Sequence, residues 1–325
     1  MKNILLFILS ILFLSCAQST PTHVSDNIMH YSRLLQLSED GNATIINPWD
    51  TTSVLQHYTI TVPVRRAVVF ISSHCSLLDE LGLHDFYTDM SADITPNIER
   101  IIQLQPDIIL VSPFENSGGN GLLDKLNIPI IQCGDYMEET PLARAEWMRF
   151  YARLFGKDAD SLFSKIEQDY THLKKSTSQT SRPKVILDLI YGNTWYMPGG
   201  HSTIANLIND AGGDYIFADN TETGSLSLSP ETVLQQGIDA DVWLLRYGQD
   251  IDLTYRSLAS QHPFYSRIKA FKKKKIYGCN LNHVPFFEEC PFHPERLLRN
   301  LQSVFSIIDT DSINTNDYFT PLYEN

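Results

Sequence analysis

A strand-free stretch in the middle of the chain, residues 140–176, constrains the fold more than any other feature. Thr140-Pro141 opens it in the order of a helix start, a Thr cap followed by proline in the first turn. Helical spacing runs to about Phe155, pauses at Gly156 and resumes from Asp158 to about Lys175. On either side the pattern is different. Before it, Ala67 to Ser72 and Asp107 to Val111 are continuous apolar runs, and Ser76 to Leu81 has helical spacing ending at Gly82. After it, Val185 to Tyr191, Asp241 to Tyr247 and Lys275 to Tyr277 restart the alternation, closed by a helix from Pro294 to about Ile308. Continuous apolar runs alternating with helices belong to parallel sheets covered on both faces. The chain therefore reads as α/β, long helix, α/β. Ahead of the first half, Arg33 to Leu37 and Ala43 to Ile46 flank Ser38-Glu39-Asp40-Gly41-Asn42, the pattern of a β-hairpin, and Tyr58 to Val62 reads as a further strand.

A length of 325 residues suits two such halves. Against 38 acidic residues stand 25 Lys and Arg, a formal charge of -13, so the phosphate-neutralising surface of a nucleic-acid binder is missing. Lys2 followed by the apolar run Ile4 to Leu14, broken only by Ser10, has the length of a signal sequence and falls short of a bilayer core of ~30 Å. The run ends in Phe13-Leu14-Ser15-Cys16, which resembles the lipobox of bacterial lipoproteins, although Phe13 stands where Leu is usual. That resemblance implies a signal peptide over 1–15, an acylated Cys16, a polar tether over 16–27 and a lipid-anchored place in the periplasm or cell envelope. An ordinary signal peptide with an incidental Cys16 is the alternative, and it too exports the chain. Export permits disulfides. Cys279 and Cys290 flank a short loop containing Pro285 and are the expected pair, whereas Cys75 and Cys133 read equally as buried thiols.

One unit occurs twice. Thr95-Pro96-Asn97-Ile98-Glu99 starts a helix leading to Asp107 and an apolar strand, and Ser229-Pro230-Glu231 starts a helix leading to Asp239-Ala240-Asp241 and another. Each is cap, proline, acid, helix, Asp, buried strand. An acid in the first turn is favoured by the helix dipole, which accounts for each glutamate separately but not for a matching pair.

These stretches, with Pro63 to Val69, Leu77 to Gly82, Ala145-Glu146-Trp147, Met197-Pro198-Gly199-Gly200, Asn209 to Gly213 and Leu226 to Leu245, resemble the periplasmic substrate-binding proteins of ATP-driven importers for iron-siderophore complexes, haem and cobalamin. Coverage runs from about Thr59 to Phe305. The resemblance implies two Rossmann-like lobes, 28–139 and 177–325, bridged by a single long helix over 140–176, with the N-terminal β-hairpin as an addition. It also implies ligand captured between the lobes, no intrinsic cofactor, and delivery by a monomer to an ABC importer permease. By motif, Glu99 and Glu231 map to the glutamates that meet permease arginines.

Ligands of open α/β sheets sit beyond the carboxyl ends of the strands. The candidates there are Ser73 and His74, Phe114 and Glu115, Tyr136, Trp195 and Tyr196, and Arg246 and Tyr247. Arg246 reads either as a contact to an anionic ligand or as a salt bridge at the lobe rim. Trp195 and Tyr196 read as stacking surfaces or loop anchors, and Phe286 and Phe287 as a cover or as loop packing. His74 and His201 lack paired spacing, so no metal site is assigned. A ferric chelate, either siderophore or haem, is the expected ligand, with cobalamin and bare zinc or manganese as alternatives. Gly200-His201-Ser202 begins like a nucleophile elbow but lacks the closing glycine, so enzyme activity is not expected.

Overall fold

The computed structural model describes residues 27–93, 95–115, 119–177, 182–306 and 318–324. The signal sequence, Cys16 and the tether up to residue 26 lie outside them, as do residues 307 and 308 at the end of the last expected helix.

The first three strands, β1 (Leu35–Leu37), β2 (Asn42–Ile46) and β3 (Val54–Thr59), form an antiparallel meander, so the expected hairpin carries a third strand. Next come β4 (Ala67–Val69), β5 (Tyr87–Asp89), β6 (Ile108–Val111) and β7 (Ile130–Gln132), all parallel in the order β5-β4-β6-β7. Helices α1 (Ser72–Glu80) and α2 (Ile98–Leu104) make the crossovers. Every residue of β4 and β6 is buried, which is why both read as unbroken apolar runs.

Residues 140–176 do not form a single helix. They form α3 (Pro141–Glu146), α4 (Met148–Leu154) and α5 (Asp160–Ser176). Thr140 caps α3 as expected, and the backbone stays helical through Trp147 between α3 and α4. The second break is sharp. Gly156 takes φ +69°, and the N–H groups of Gly156 and Lys157 bond back to the carbonyls of Arg153 and Ala152, the Schellman arrangement that ends a helix. Leu142 and Tyr170 pack into the core of the C-terminal half, while Ala145, the apolar residues from Trp147 to Phe155, Phe163 and Ile166 pack into that of the N-terminal half.

The C-terminal half has strands β8 (Lys184–Leu187), β9 (Ile190–Tyr191), β10 (Thr194–Pro198), β11 (Asp214–Tyr215), β12 (Ser225–Leu228), β13 (Val242–Tyr247), β14 (Ile276–Asn280) and β15 (Thr320–Pro321). Its main sheet runs β11-β8-β13-β14-β15, parallel except for β15, with β12-β10-β9 as a small antiparallel sheet. The helices are α6 (Thr203–Asp210), α7 (Pro230–Gly237), α8 (Tyr255–Gln261), α9 (Lys269–Lys272), α10 (Phe286–Glu289) and α11 (Pro294–Ser306). Before α6, Gly199 and Gly200 lie against the backbone of residues 217–222. A Cβ on Gly200 would meet Asn220 O at 2.2 Å, so no larger residue fits that turn.

Candidate functional site

The duplicated unit sets up both halves in the same way. Asp107 accepts the backbone N–H groups of Arg65 and Arg66 at 2.8 and 2.9 Å, and Asp241 accepts that of Lys184 at 2.9 Å, so each aspartate ties the start of one strand to the start of its neighbour. The cap of α2 is Asn97, which accepts from Arg100 N, and not Thr95: Pro96 precedes the cap. In α7 Ser229 is the cap and Pro230 is the first helical residue. Glu99 and Glu231 nonetheless occupy the same helical position, second after the cap, and both are exposed.

At the carboxyl end of the C-terminal sheet the chain leaves β8 through Asp188, which takes φ +56°. Its carboxylate accepts both Nε, at 2.9 Å, and Nη2 of Arg246 near the end of β13. The same guanidinium lies over the rings of Phe286 and Phe287, with centroids 5.6 and 5.8 Å away. These groups line a cavity of about 100 Å³ whose other walls include Arg144, Ile204 and Leu207. Arg144 is fixed by the other half: its Nε donates to Asp135 Oδ2 at 3.2 Å. Asp135 is buried, and its Oδ1 also meets His74 Nε2 and the Tyr151 hydroxyl, each at 2.9 Å. Burial alone would raise this carboxyl, but His74, Arg144 and Tyr151 hold it below the usual range. The cavity is thus apolar with two arginines at its wall, each oriented by an aspartate.

The other expected site residues separate into exposed and buried sets. Phe114, beyond β6, is 68% exposed, Tyr196 on β10 is 46% exposed, and Phe287 is 47% exposed. Tyr136 is partly buried, its hydroxyl donating to Pro113 O at 2.6 Å. Trp195 is a correction: it is fully buried, bonded through Nε1 to Leu187 O and packed on Trp243 and Tyr265, so it is core and offers no stacking face. His74 is likewise sealed between Tyr151 and Phe292. Tyr247 anchors the following loop, accepting from Leu253 N and meeting Asp252. Ser202 caps α6 and donates to Gly199 O, a structural task that accounts for the elbow-like sequence. Cys279 and Cys290 form no disulfide. Both are buried free thiols, with Cys279 pushed up to about 12 by burial and Cys290 higher for the same reason, as suits inert core thiols. Among the described residues no three His, Cys, Asp or Glu converge as a metal-holding group.

Sequence reasoning missed Asp188, although an acid directly after a buried strand was a usable signal. It also missed Asp135, Arg144 and Tyr191, the last 80% exposed on β9.

The periplasmic binding protein family profile matches residues 72–281, from the first helix after β4 to the residue after β14. The chain belongs to the periplasmic binding protein family. An uncharacterized lipoprotein of Methanocaldococcus jannaschii is 29% identical to this binding protein over 197 residues, which is 58% of this chain but only 46% of that relative. Among solved structures, an ABC-type Fe3+-hydroxamate transport protein from Saccharomonospora viridis superposes with a TM-score of 0.61 at 18% identity, covering 81% of this chain and 98% of that one. The periplasmic vitamin B12 binding protein of Vibrio cholerae gives 0.57 at 16% identity, covering 77% and 99%. At these identities the likeness is one of fold. Among the described residues of this binding protein, no helix is long and apolar enough to cross a membrane.

Proposed function

We propose that this binding protein is the envelope-anchored capture component of an ABC importer, holding a small metal chelate between two lobes and delivering it to the permease. In this reading residues 140–176 bridge the lobes, Cys16 carries the lipid anchor, and Glu99 and Glu231 dock on permease cations. The observation that supports it most is the cavity between the C-terminal half and the bridging segment, with Arg246 and Phe287 from the first and Arg144 from the second, held by Asp135 of the N-terminal half. An apolar wall bearing oriented guanidinium donors suits a compact ligand with a hydrophobic body and anionic oxygens, which favours a ferric chelate over a corrinoid. The kinds of cargo named for similar structures, ferric hydroxamate and vitamin B12, define the panel to test.

The experiment is a fluorescence-quenching titration of the mature protein with a ferric hydroxamate, a ferric catecholate, haem and cobalamin. Saturable stoichiometric quenching by one ferric chelate is expected. Binding of cobalamin alone would move the assignment within the family, and no binding by any of the four would overturn it.

A further inference from the structure

Beside that cavity, whose wall includes Pro291 and Pro294, the two halves meet through a contact built from charge. Helix α1 of the N-terminal half packs against α10 of the C-terminal half. At the last residue of α1, Glu80 Oε2 lies 2.7 Å from His293 Nε2. The other ring nitrogen, Nδ1, lies 3.1 Å from Glu295 Oε1 in the first turn of α11. His293 is 6% exposed. A carboxylate oxygen only accepts, so an imidazole facing one at each nitrogen makes both bonds only when both nitrogens carry protons. The preceding residue strengthens the contact: Phe292 leaves its own half and enters the N-terminal core, with its ring centroid 5.8 Å from that of His74 and 6.0 Å from that of Tyr151. A buried apolar knob and a buried cation thus cross the seam side by side.

Helices α5, α10 and α11 contribute charge to the surroundings. Lys165 and Asp169 come from α5, Arg296 and Arg299 from α11, and Glu289 from α10, where Arg296 reaches Glu289 at 3.3 Å and Glu295 at 3.8 Å. The second oxygen of Glu295 is buried without a hydrogen-bond partner, so this acid depends on the cations beside it.

We propose that His293, held as an imidazolium between Glu80 and Glu295, is a charge staple that fixes this side of the seam, so that movement between the halves pivots about it. The staple regulates the site proposed above only if that site is the ligand site, but the staple itself stands on geometry alone. Its pH behaviour follows from its partners. Burial would lower the His293 pKa, but the hydrogen bonds and charges of Glu295 and Glu80 lift it to about 9, while His293 holds the Glu80 carboxyl below its usual range. A raised histidine stabilises fully below its unfolded value of about 6.5, and that contribution fades as pH climbs toward 9. Glu80 contributes above the unfolded carboxylate value and loses its part as pH falls. The staple is therefore closed at neutral pH and opens on the alkaline side.

Hydrogen exchange of the ligand-free mature protein tests this. At pH 7, amides in the last turn of α1 and the first turn of α11 should exchange at least about tenfold faster in His293→Gln and in Glu80→Gln than in the wild type, the loss of a charge-assisted contact, while β13 and β14 stay unchanged. After correction for intrinsic exchange, the wild type should approach the variants as pH passes about 9; His293→Gln should show no such step, and Glu80→Gln, which keeps Glu295 beside the imidazole, should show it at lower pH and with smaller amplitude. If His293→Gln does not fold, Glu80→Gln carries the test, because Glu80 lies at a helix end with its side chain 37% exposed. Equal exchange in wild type and variants at pH 7, or a wild-type profile without the alkaline step, overturns the staple. No ligand enters the measurement, so a failed ligand panel leaves it standing, and a bound chelate with an insensitive seam defeats the staple alone.

Discussion

The two halves share a start and differ at their ends. In both, a capped helix with an exposed glutamate in its first turn leads to an aspartate that ties adjacent strand starts together, Asp107 in one and Asp241 in the other. At the carboxyl ends of the strands nothing corresponds. The N-terminal sheet leads to a buried carboxylate, Asp135, that serves His74, Tyr151 and Arg144, while the C-terminal sheet leads to the Asp188–Arg246 pair under two phenylalanines. Strand starts carry the repeated framework, and strand ends carry what distinguishes the halves. The N-terminal half also wears a strap. The N–H groups of His30, Tyr31 and Ser32 donate to Glu146 at 2.7, 2.8 and 2.9 Å, and those of Arg33 and Leu34 donate to Glu138, so residues 28–38 bind the chain between the sheets through two buried carboxylates. The C-terminal half has β15 along its edge instead.

The largest expected effect breaks that asymmetry. Glu146 is fully buried, and Glu146→Ala would leave three backbone donors without a partner, costing about 3–5 kcal/mol. Asp210, a buried acid of the C-terminal half, accepts from Tyr170 at 2.6 Å and pairs with Lys174 at 2.9 Å, but Lys174 is half-exposed, so Asp210→Ala should cost only about 1–3 kcal/mol. Urea unfolding of both variants checks the order. Equal losses would mean that the strap's carboxylate holds the N-terminal half no more strongly than Asp210 holds the C-terminal one.

Arg246→Ala comes next. Because Asp188 spends its carboxylate on this one guanidinium, removing the cation should lower stability by about 1.5–3 kcal/mol and weaken an anionic ligand by a similar amount. Arg144→Ala, in the bridging segment, removes one of three partners of Asp135 and should cost less in the thermal midpoint. Ligand affinity lost in Arg246→Ala but kept in Arg144→Ala would confine recognition to the C-terminal half, and similar losses would show that the bridging segment grips the ligand too.

Much of the framework was legible in the sequence because burial on both faces writes β4, β6, β8 and β13 as apolar runs. The break at Gly156 was legible too, since glycine is the residue that reaches its left-handed backbone without strain. The division at Trp147 was not, because the backbone there stays helical. The site was legible only in part. Arg246 announced itself by its place after an apolar run, but its partner lies 58 residues earlier, and no spacing rule joins them. Trp195 carried the opposite lesson: an aromatic beside Met197-Pro198-Gly199 looks ready to stack, yet its ring fills the core against Trp243. His293 and Glu80, 213 residues apart, meet only because the chain folds back across α1.

The smallest effect on the isolated molecule should come from Glu99 and Glu231, and this is what gives their test its force. Both carboxylates sit second after a helix cap, exposed, where the dipole tolerates them and the hydrogen bonds of the cap do not need them. Replacing either with Ala should leave the thermal midpoint and the ligand affinity in solution within error. If they dock on permease cations, transport and permease association should fall in each single variant and further in the double, and Lys should be worse than Ala because it sets like charges face to face. The comparison sharpens if the two singles are unequal, since the halves would then report separately to the permease despite their matched geometry. A tenfold loss of ligand affinity in either variant, with permease association intact, would move that glutamate from the docking surface to the ligand site and end the reading of the repeated unit as a pair of docking points.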